Sequence, residues 1–410
     1  MGLERVVAVR DRIGLQASFP IISVGGTNGK GSTCAMLEAM YLCAGYKVGL
    51  YASPHLFNYN ERIRVNGREA RDEVLVEAFE RIDAARGGIP LTYFEFGTLA
   101  ALLIFCDDEV DVAILEVGLG GRLDAVNAFD PDCSVVLNVA IDHVDFLGTS
   151  REAIGLEKAG IFRNGRPAIC AEEDPPVSLL EHAQAVRADL HLAGRDFGHK
   201  RTASGWQFWN AAGKKAGLPF PALRGSAQID NAAAAIECVH AMRELLPVHM
   251  AALRAGLLDA HIPGRFQVLP GAPSVILDVA HNAAAARVLA ADMEALPCSG
   301  QTIAVFSVLA DKQIDQIVLA LARSVDEWFV CDLSTQRGAQ AESVKQVLAR
   351  CVPEAPVTAC ASVAEGCAAA REAMRGNDRI LVFGSFYTVS EALQTFGDRL
   401  TDSRENGESD

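Results

Sequence analysis

Apolar residues along the chain fall into two alternating kinds of run. Short stretches rich in β-branched residues, such as 20–24 (PIISV), 47–51 (KVGLY), 111–118 (DVAILEVG) and 134–140 (SVVLNVA), have the length and composition of buried strands. Longer segments between them carry apolar residues at helical spacing. One is predicted from Ser32 to Ala44, with Met36, Leu37, Met40 and Tyr41 as its apolar positions, and Gly45 stands where a left-handed C-cap is favoured. Alternation of this kind predicts a parallel α/β architecture. Residues 1–19 mix charged and apolar positions like an amphipathic helix and show no signal-peptide pattern. Over 201–223 the pattern weakens into a stretch rich in Trp, Gly and Lys, which predicts a hairpin, and helices follow over 228–258.

The segment 261–273 (HIPGRFQVLPGAP) interrupts all periodicity with three prolines and two glycines. After it the alternation restarts with strands at 275–280, 302–308, 327–333 and 379–385, and helices from Asn282, over 311–323, and as a further pair before the last strand. The expected organisation is a large α/β domain over 1–262, a linker over 263–273, a smaller α/β domain over 274–400 and a polar, disordered tail over 401–410. No internal repeat is visible.

Composition narrows the function. Half of the 410 residues are hydrophobic, enough for roughly two to three domains with cores of their own. The formal charge is −15 and Lys and Arg form no block, so no nucleic-acid groove is expected and an anionic ligand must be held locally. Apolar runs such as 99–106 (LAALLIFC) are too short to span a bilayer. The eleven cysteines are scattered without a C-x-x-C pair, as in a reduced, cytoplasmic protein without a disulfide frame or zinc site.

Residues 24–33 read VGGTNGKGST. The usual phosphate loop, G-x-x-x-x-G-K-[ST], would place glycine at Val24 and a hydroxyl at Gly31. Here Ser32 and Thr33 come one step late. A strand, a glycine turn and a helix N-terminus still make a polyphosphate site: N–H groups face the ligand, the helix dipole favours anions and glycines permit close approach. Lys30 would reach the β- and γ-phosphates, and Ser32 or Thr33 would touch Mg²⁺. The competing reading, a glycine turn without a ligand, leaves a buried lysine uncompensated.

Other residues carry chemistry with two readings each. Glu116 ends an apolar strand, where a carboxylate is expensive to bury alone and where ligands of α/β sheets collect. His143 reads equally as a metal ligand or a hydrogen-bonded structural histidine; Asp142 and Asp145 flank it. Lys158, taken alone, is a solvated surface lysine, and Asn231 a plain N-cap. Phe94 and Phe96 read as core residues of a helix that starts near them.

GTNGKGST (26–33), SPHL (53–56), ERIRVNG (61–67), LTYFEFGTLA (91–100), LEVGLGGRLDAVN (115–127), IDHVDFLG (141–148), EKAGIF (157–162), PGRFQ (263–267), LDVAHN (277–282) and FGSFYTV (383–389) follow one another in order. Together they resemble the folylpolyglutamate synthase/dihydrofolate synthase family, within the Mur ligase superfamily of ATP-dependent amide-forming enzymes. Gly31 is that family's form of the loop. The resemblance implies a P-loop, Mur-ligase-like central ATPase domain with a parallel sheet and a smaller C-terminal Rossmann-like α/β domain. It implies an acyl-phosphate mechanism adding L-glutamate to dihydropteroate and to folylglutamates, with ATP as co-substrate and Mg²⁺ as the metal.

The same resemblance assigns residues. ATP contacts fall on Thr27, Asn28, Gly29, Lys30, Gly31, Ser32, Asn231, Arg265 and Asp278, and metal ligands on Ser53, Glu116 and His143. The catalytic set is Lys30, His143, Lys158, Asp278 and His281, with Lys158 carbamylated by CO₂, which requires a neutral amine. Pterin or folate contacts fall on Thr92, Tyr93, Phe94, Glu95, Leu123, Asp124 and Ala125, and glutamate contacts on His281, Asp311, Lys312 and Ser385. Catalytic residues on both sides of 263–273 imply domain closure.

Relatives carry an N-terminal segment before the GLERV helix that adds pterin contacts. The chain starts at MGLERV, so that wall of the pocket is expected to be missing or rebuilt. The alternatives are a folylpolyglutamate synthase only, a cell-wall Mur-type relative, a GTPase-like regulator and a nucleotide-binding relic. Cell-wall Mur ligases need a whole domain before the phosphate loop, and no N-K-x-D motif for guanine is present. A monomer acting on small molecules, away from nucleic acid and membrane, is expected.

Overall fold

The computed structural model describes residues 2–202, 205–269 and 274–405, with 397–405 described by backbone alone. Contacts divide it into two units. One holds the chain up to Ala222 with Ala227–Ile262, and the other holds Leu223–Ser226 with the chain from Pro263 onward. Residues 270–273 of the expected linker lie outside the described residues.

The first unit is built on eight strands: β1 (Ile21–Gly25), β2 (Val48–Tyr51), β3 (Ile63–Val65), β4 (Arg68–Glu69), β5 (Val112–Glu116), β6 (Cys133–Val136), β7 (Pro167–Cys170) and β8 (Asp189–Leu192). Their spatial order is β4-β3-β2-β5-β1-β6-β7-β8, and all pairings from β2 to β8 are parallel. β3 and β4 add an antiparallel hairpin at one edge. Every residue of β5, β1 and β6 is buried, which is why they read as continuous apolar runs and not as alternating ones.

Helices α1 (Glu4–Ile13), α2 (Lys30–Cys43), α3 (Asp72–Arg86), α4 (Tyr93–Asp107), α5 (Val144–Leu147), α6 (Arg151–Ala159), α7 (Val177–Val186), α8 (Gln228–Ala241) and α9 (Met250–Asp259) complete the unit's helical layers. α2 begins at Lys30, two residues ahead of the sequence expectation, because the lysine itself belongs to the first turn. All its side chains from Gly31 to Tyr41 are buried. Its one buried carboxylate, Glu38, is paired with Arg64 of β3. α8 and α9 cover it. A Cβ on Gly256 of α9 would come within 2.6 Å of the Met40 backbone, so the absent side chain is what lets α9 lie directly on α2.

The expected hairpin near 201–223 is instead a three-stranded antiparallel sheet of β9 (Phe197–Thr202), β10 (Gly205–Asn210) and β11 (Gly213–Leu218). The reason is burial: Phe197, Trp206, Phe208 and Leu218 are all covered, more apolar surface than two strands would bring together.

The second unit repeats the parallel theme with β12 (Gln267–Leu269), β13 (Ser274–Asp278), β14 (Thr302–Phe306), β15 (Glu327–Cys331), β16 (Val357–Cys360) and β17 (Arg379–Phe383), ordered β12-β13-β17-β14-β15-β16. Only β12 is antiparallel. Helices α10 (Ala283–Ala295), α11 (Ile314–Leu321), α12 (Ala341–Cys351), α13 (Val363–Ala373) and α14 (Phe386–Glu405) belong to it. Phe306, Trp328 and Phe383 form the aromatic centre of its core. The backbone of 401–405 continues α14, so that part of the expected tail is helical; 406–410 lie outside the described residues. No helix among the described residues is long and apolar enough to cross a membrane.

The α2–α9 contact gives a direct test. Gly256→Ala drives a methyl group into backbone that cannot rotate away, and is expected to cost about 1–3 kcal/mol. The check is a lower urea midpoint with weaker nucleotide binding, since α2 carries the phosphate loop.

Candidate active site

The glycine turn at the carboxyl end of β1 is held by backbone that the sequence did not single out. Asn138 follows β6 and closes a reciprocal pair with Asn28: Asn28 N–H donates to Asn138 Oδ1 at 2.9 Å and Asn138 Nδ2 donates to the Asn28 carbonyl at 2.9 Å. Thr27 N–H donates to the Asn138 carbonyl, and Thr27 Oγ1 accepts from Ala140 N–H at 3.0 Å. Asn138 was read as part of a strand over 134–140, but β6 ends at Val136. The available signal was an amide interrupting an apolar run just where strand ends collect ligands.

Gly29 is left-handed at φ 85° and forms the N-cap of α2. A side chain there would meet Asn231 Oδ1 at 2.5 Å. Asn231 is therefore no N-cap: α8 begins at Gln228, and Asn231 lies buried one turn on, against the phosphate loop, its Nδ2 donating to Gln228 Oε1 at 3.2 Å. Lys30 Nζ donates back to the carbonyls of Gly26 (3.1 Å) and Thr27 (3.4 Å). Ser32 Oγ and Thr33 Oγ1 are buried with no hydrogen-bond partner among the described residues. Orphaned hydroxyls in the first turn of a helix fit a bound metal or phosphate oxygen far better than an inert turn.

Glu116 stands at the end of β5, beside Val24 of β1 in register, and is buried. Its Oε2 accepts the Ser53 N–H at 3.0 Å, which joins two of the three expected metal ligands. His143 lies after β6 with a left-handed backbone (φ 50°) and its ring 3.9 Å from Asp142. A non-glycine residue held there stores strain of the sort that gathers at functional sites. Among the described residues no group of three or more His, Cys, Asp or Glu is arranged to hold a metal. The donor set of Ser53, Glu116 and His143 is thus sparse, which suits a hard cation that keeps waters and substrate phosphates as ligands.

Lys158, in the last turn of α6, is 3% exposed and not a surface lysine. Burial drives its ammonium down to about 7, with repulsion from Lys30 adding to the shift and Asp142 opposing it. The structure therefore brings Lys30, Asp142 and Lys158 into electrostatic contact.

The expected pterin segments are ordered by their own hydrogen bonds. Thr92 caps α4 in a reciprocal box with Glu95: Glu95 N–H donates to Thr92 Oγ1 at 3.2 Å, and Thr92 N–H to Glu95 Oε2 at 2.6 Å. Glu95 also pairs with Arg5 at 3.2 Å. Asp124 is buried and accepts the Leu119 and Val126 N–H groups at 2.8 and 3.0 Å; burial still pushes it up to about 7. Ala125 is buried and Leu123 half-buried beside it. The two phenylalanines divide: Phe96 packs against Phe79 and Arg86, as a core residue would, while Phe94 lies against Tyr51 and the Gly118 backbone of the ligand-side loop. Tyr93 is 60% exposed.

In the second unit, the remaining candidates follow the carboxyl ends of β13, β14 and β17. Asp278 Oδ2 accepts the Phe266 N–H at 2.8 Å and Oδ1 that of Ala280 at 2.7 Å, so it fixes the turn holding Arg265; burial raises it against these bonds. The Arg265 guanidinium lies 4.9 Å from the Phe386 ring, and His281 faces the same ring at 6.3 Å. Ser385 is buried and tied to Thr388 Oγ1 at 2.6 Å, so its hydroxyl is already engaged. Asp311 pairs with Arg337 at 3.3 Å, and Lys312 N–H closes a turn onto Leu309. Arg265, Asp278 and His281 are brought together; Asp311 and Lys312 sit on a neighbouring loop.

The Lys158 shift has a measurable consequence. The folded chain binds this proton less tightly than the unfolded chain, so the penalty is full below about pH 7 and fades as pH rises towards 10.5. In CO₂-free buffer, Lys158→Met is expected to be more stable than the parent by a few kcal/mol at about pH 6, with the gap in urea midpoint closing towards pH 10.

Two family profiles match the chain: one described as Mur ligase middle domain over residues 86–239, the other as Mur ligase, glutamate ligase domain over residues 264–386. The dihydrofolate synthase/folylpolyglutamate synthase of Escherichia coli (strain K12) is 43% identical over 400 residues, covering 97% of this chain and 92% of its own. A structure described as E. coli FolC in complex with DHPP and ADP matches with a TM-score of 0.92 at 43% identity, over 98% of this chain and 94% of that one. A bifunctional folylpolyglutamate synthase/dihydrofolate synthase with Mn, AMPPNP and L-glutamate bound gives 0.90 at 41% identity, over 97% and 94%. Likeness of this depth, sustained from one end of the chain to the other, makes it a member of the dihydrofolate synthase/folylpolyglutamate synthase family of Mur ligases.

Proposed function

We propose that the chain is an ATP-dependent ligase that joins L-glutamate to dihydropteroate, giving dihydrofolate, and to folylglutamates, lengthening their glutamate chain. The observation that carries this reading is the arrangement of Lys30, Lys158, Asp142 and Glu116 around a glycine loop whose first helical turn leaves two hydroxyls unpartnered. It stands beside full-length likeness to enzymes of that name.

A substrate carboxylate attacks the γ-phosphorus of ATP, ADP departs, and the acyl phosphate is attacked by the glutamate amine, which loses a proton as phosphate leaves. Lys30 and the N–H groups of residues 27–32 receive phosphate charge at the start of α2. Asn231 closes over Gly29 beside the nucleotide. Ser53, Glu116 and His143 would hold a divalent ion, which we assign as Mg²⁺ and which supplies charge neutralisation at the phosphates. Thr92 and Glu95 set the start of α4, and Asp124 shapes the 118–126 loop, so that Tyr93, Phe94, Leu123 and Ala125 present a partly aromatic surface to the pterin. Arg265 and Asp278 are assigned to the nucleotide, and His281, Asp311, Lys312 and Ser385 to glutamate.

We assign Lys158 as a carbamate. Its ammonium first gives up a proton, and the neutral amine then adds to CO₂, forming an N–C bond and releasing a second proton, so that a buried cation beside Lys30 becomes an anion. A pKa of about 7 leaves a large neutral fraction at physiological pH, as this addition requires. Enzyme equilibrated with ¹³C-bicarbonate should show a carbamate carbon resonance that is absent from Lys158→Met. Absence of that signal from active parent enzyme would remove the assignment.

The whole reading is tested by phosphate release from ATP with glutamate and either dihydropteroate or a tetrahydrofolate. Turnover is expected with both, and Lys30→Ala or Glu116→Gln should lower kcat by about 10²-fold or more. Turnover with the tetrahydrofolate alone would restrict the chain to folylpolyglutamate synthesis.

A further inference from the structure

The β2–β3 connection carries a cation that the scheme above does not use. Arg62 is half-buried between two tyrosines, with its guanidinium carbon 5.7 Å from the Tyr59 ring and 5.3 Å from the Tyr93 ring. Its Nε donates to His55 Nδ1 at 2.7 Å. Among the described residues it forms no ion pair. Its neighbour Glu61 spends its carboxylate on the N–H groups of Leu56, Phe57 and Asn58, at 2.7, 2.6 and 2.7 Å. Asp124, also within electrostatic reach of Tyr51, is committed to Leu119 and Val126. A fork of guanidinium donors without a carboxylate partner among the described residues thus stands beside Tyr93, which is 60% exposed. Rings stabilise such a cation, but they satisfy none of its N–H groups.

Its position says what it faces. The Arg62 carbonyl accepts the Ala52 N–H at 2.9 Å, and the next residue, Ser53, bonds Glu116. Arg62 therefore lies at the same carboxyl edge as the expected reaction centre. β3 and β5 flank β2, so the arginine's strand is two strand spacings from that of Glu116, about 10 Å. A carboxylate under attack at Glu116 is too far inward for Arg62. A second carboxylate on the same molecule, set back from the reacting one, is not.

We propose that Arg62 docks a non-reacting carboxylate of the substrate being extended: the α-carboxylate that a glutamylated folate carries and dihydropteroate lacks. Arginine suits this, because its planar fork meets a carboxylate through two parallel hydrogen bonds. The tyrosines hold the fork in place, and Tyr59 is itself located by close approach: a Cβ on Gly97 would lie 2.5 Å from its Oη. Arg62 so becomes the residue that separates the two activities, binding one class of substrate and ignoring the other. The inference rests on the ligase reading given above.

Steady-state kinetics on the full chain test it. Arg62→Met should raise KM for tetrahydrofolate and its diglutamate by roughly 10- to 100-fold. It should leave KM for dihydropteroate and for ATP within about twofold of the parent. Arg62→Lys keeps the charge without the fork and should recover part of the lost affinity, which a merely structural role would not produce. An equal rise for both substrates in the two variants, or none for either, would overturn the assignment. A parent enzyme inert towards both substrates would sink the ligase reading itself, before any variant is compared.

Discussion

Lys158 is buried within electrostatic reach of Lys30, which repels it, and the two lysines are anchored on different helices. Lys30 is fixed by the first turn of α2, and Lys158 by the last turn of α6. Asp142 offsets only part of the repulsion. The larger unit therefore sets two like-charged side chains against each other in a chain whose formal charge is −15. Such a site is completed by anions: phosphate oxygens at Lys30, and in our assignment a carbamate at Lys158. In our reading a polyphosphate is held by this local imbalance, not by a basic surface.

The sheet converts that local imbalance into geometry. β1, β5 and β6 end side by side, so the glycine loop, Glu116 and Asn138 share one edge by topology alone. Small residues then set the spacing around it. Gly29 admits Asn231, Gly118 admits Phe94, Gly97 admits two tyrosine hydroxyls and Gly256 admits the α2 backbone. Each is a place where a methyl group would displace a functional element and not merely crowd a core.

Much of this could be read from the sequence. The buried parallel strands announced themselves as β-branched runs, and the family motifs singled out Lys30, Glu116, Ser53, His143 and Lys158 as candidates. What escaped was decided by tertiary context. Taken without the resemblance, Lys158 read as a surface residue, because a lone lysine on a short helix carries no mark of its burial. Taken the same way, Asn231 read as a cap because amides favour helix ends, whereas its helix starts three residues earlier. Asn138 was absorbed into a strand because β6 stops before the apolar run does. The strand missed beside the expected hairpin is β9, because residues 197–202 (FGHKRT) carry little apolar alternation of their own; pairing with β10 makes it a strand. Thr92 and Glu95 matched a ligand motif, yet their side chains are engaged in capping α4.

The strand order also governs how the protein is made. β1 lies between β5 and β6, its registers joining Ile21 to Ala113 and Ile22 to Cys133. Its first partner, β5, is complete only about 90 residues after β1 and its second, β6, about 110 residues after it, roughly 5–20 s later at ordinary elongation rates. Through that interval the apolar stretch IISV has at least one edge unpaired, and the glycine loop has no Asn138 to close against. The nucleotide site is encoded near the start of the chain but is among the last features of its unit to take shape. Translation pausing before β6 emerges would therefore leave the nascent β1 open to association with other chains.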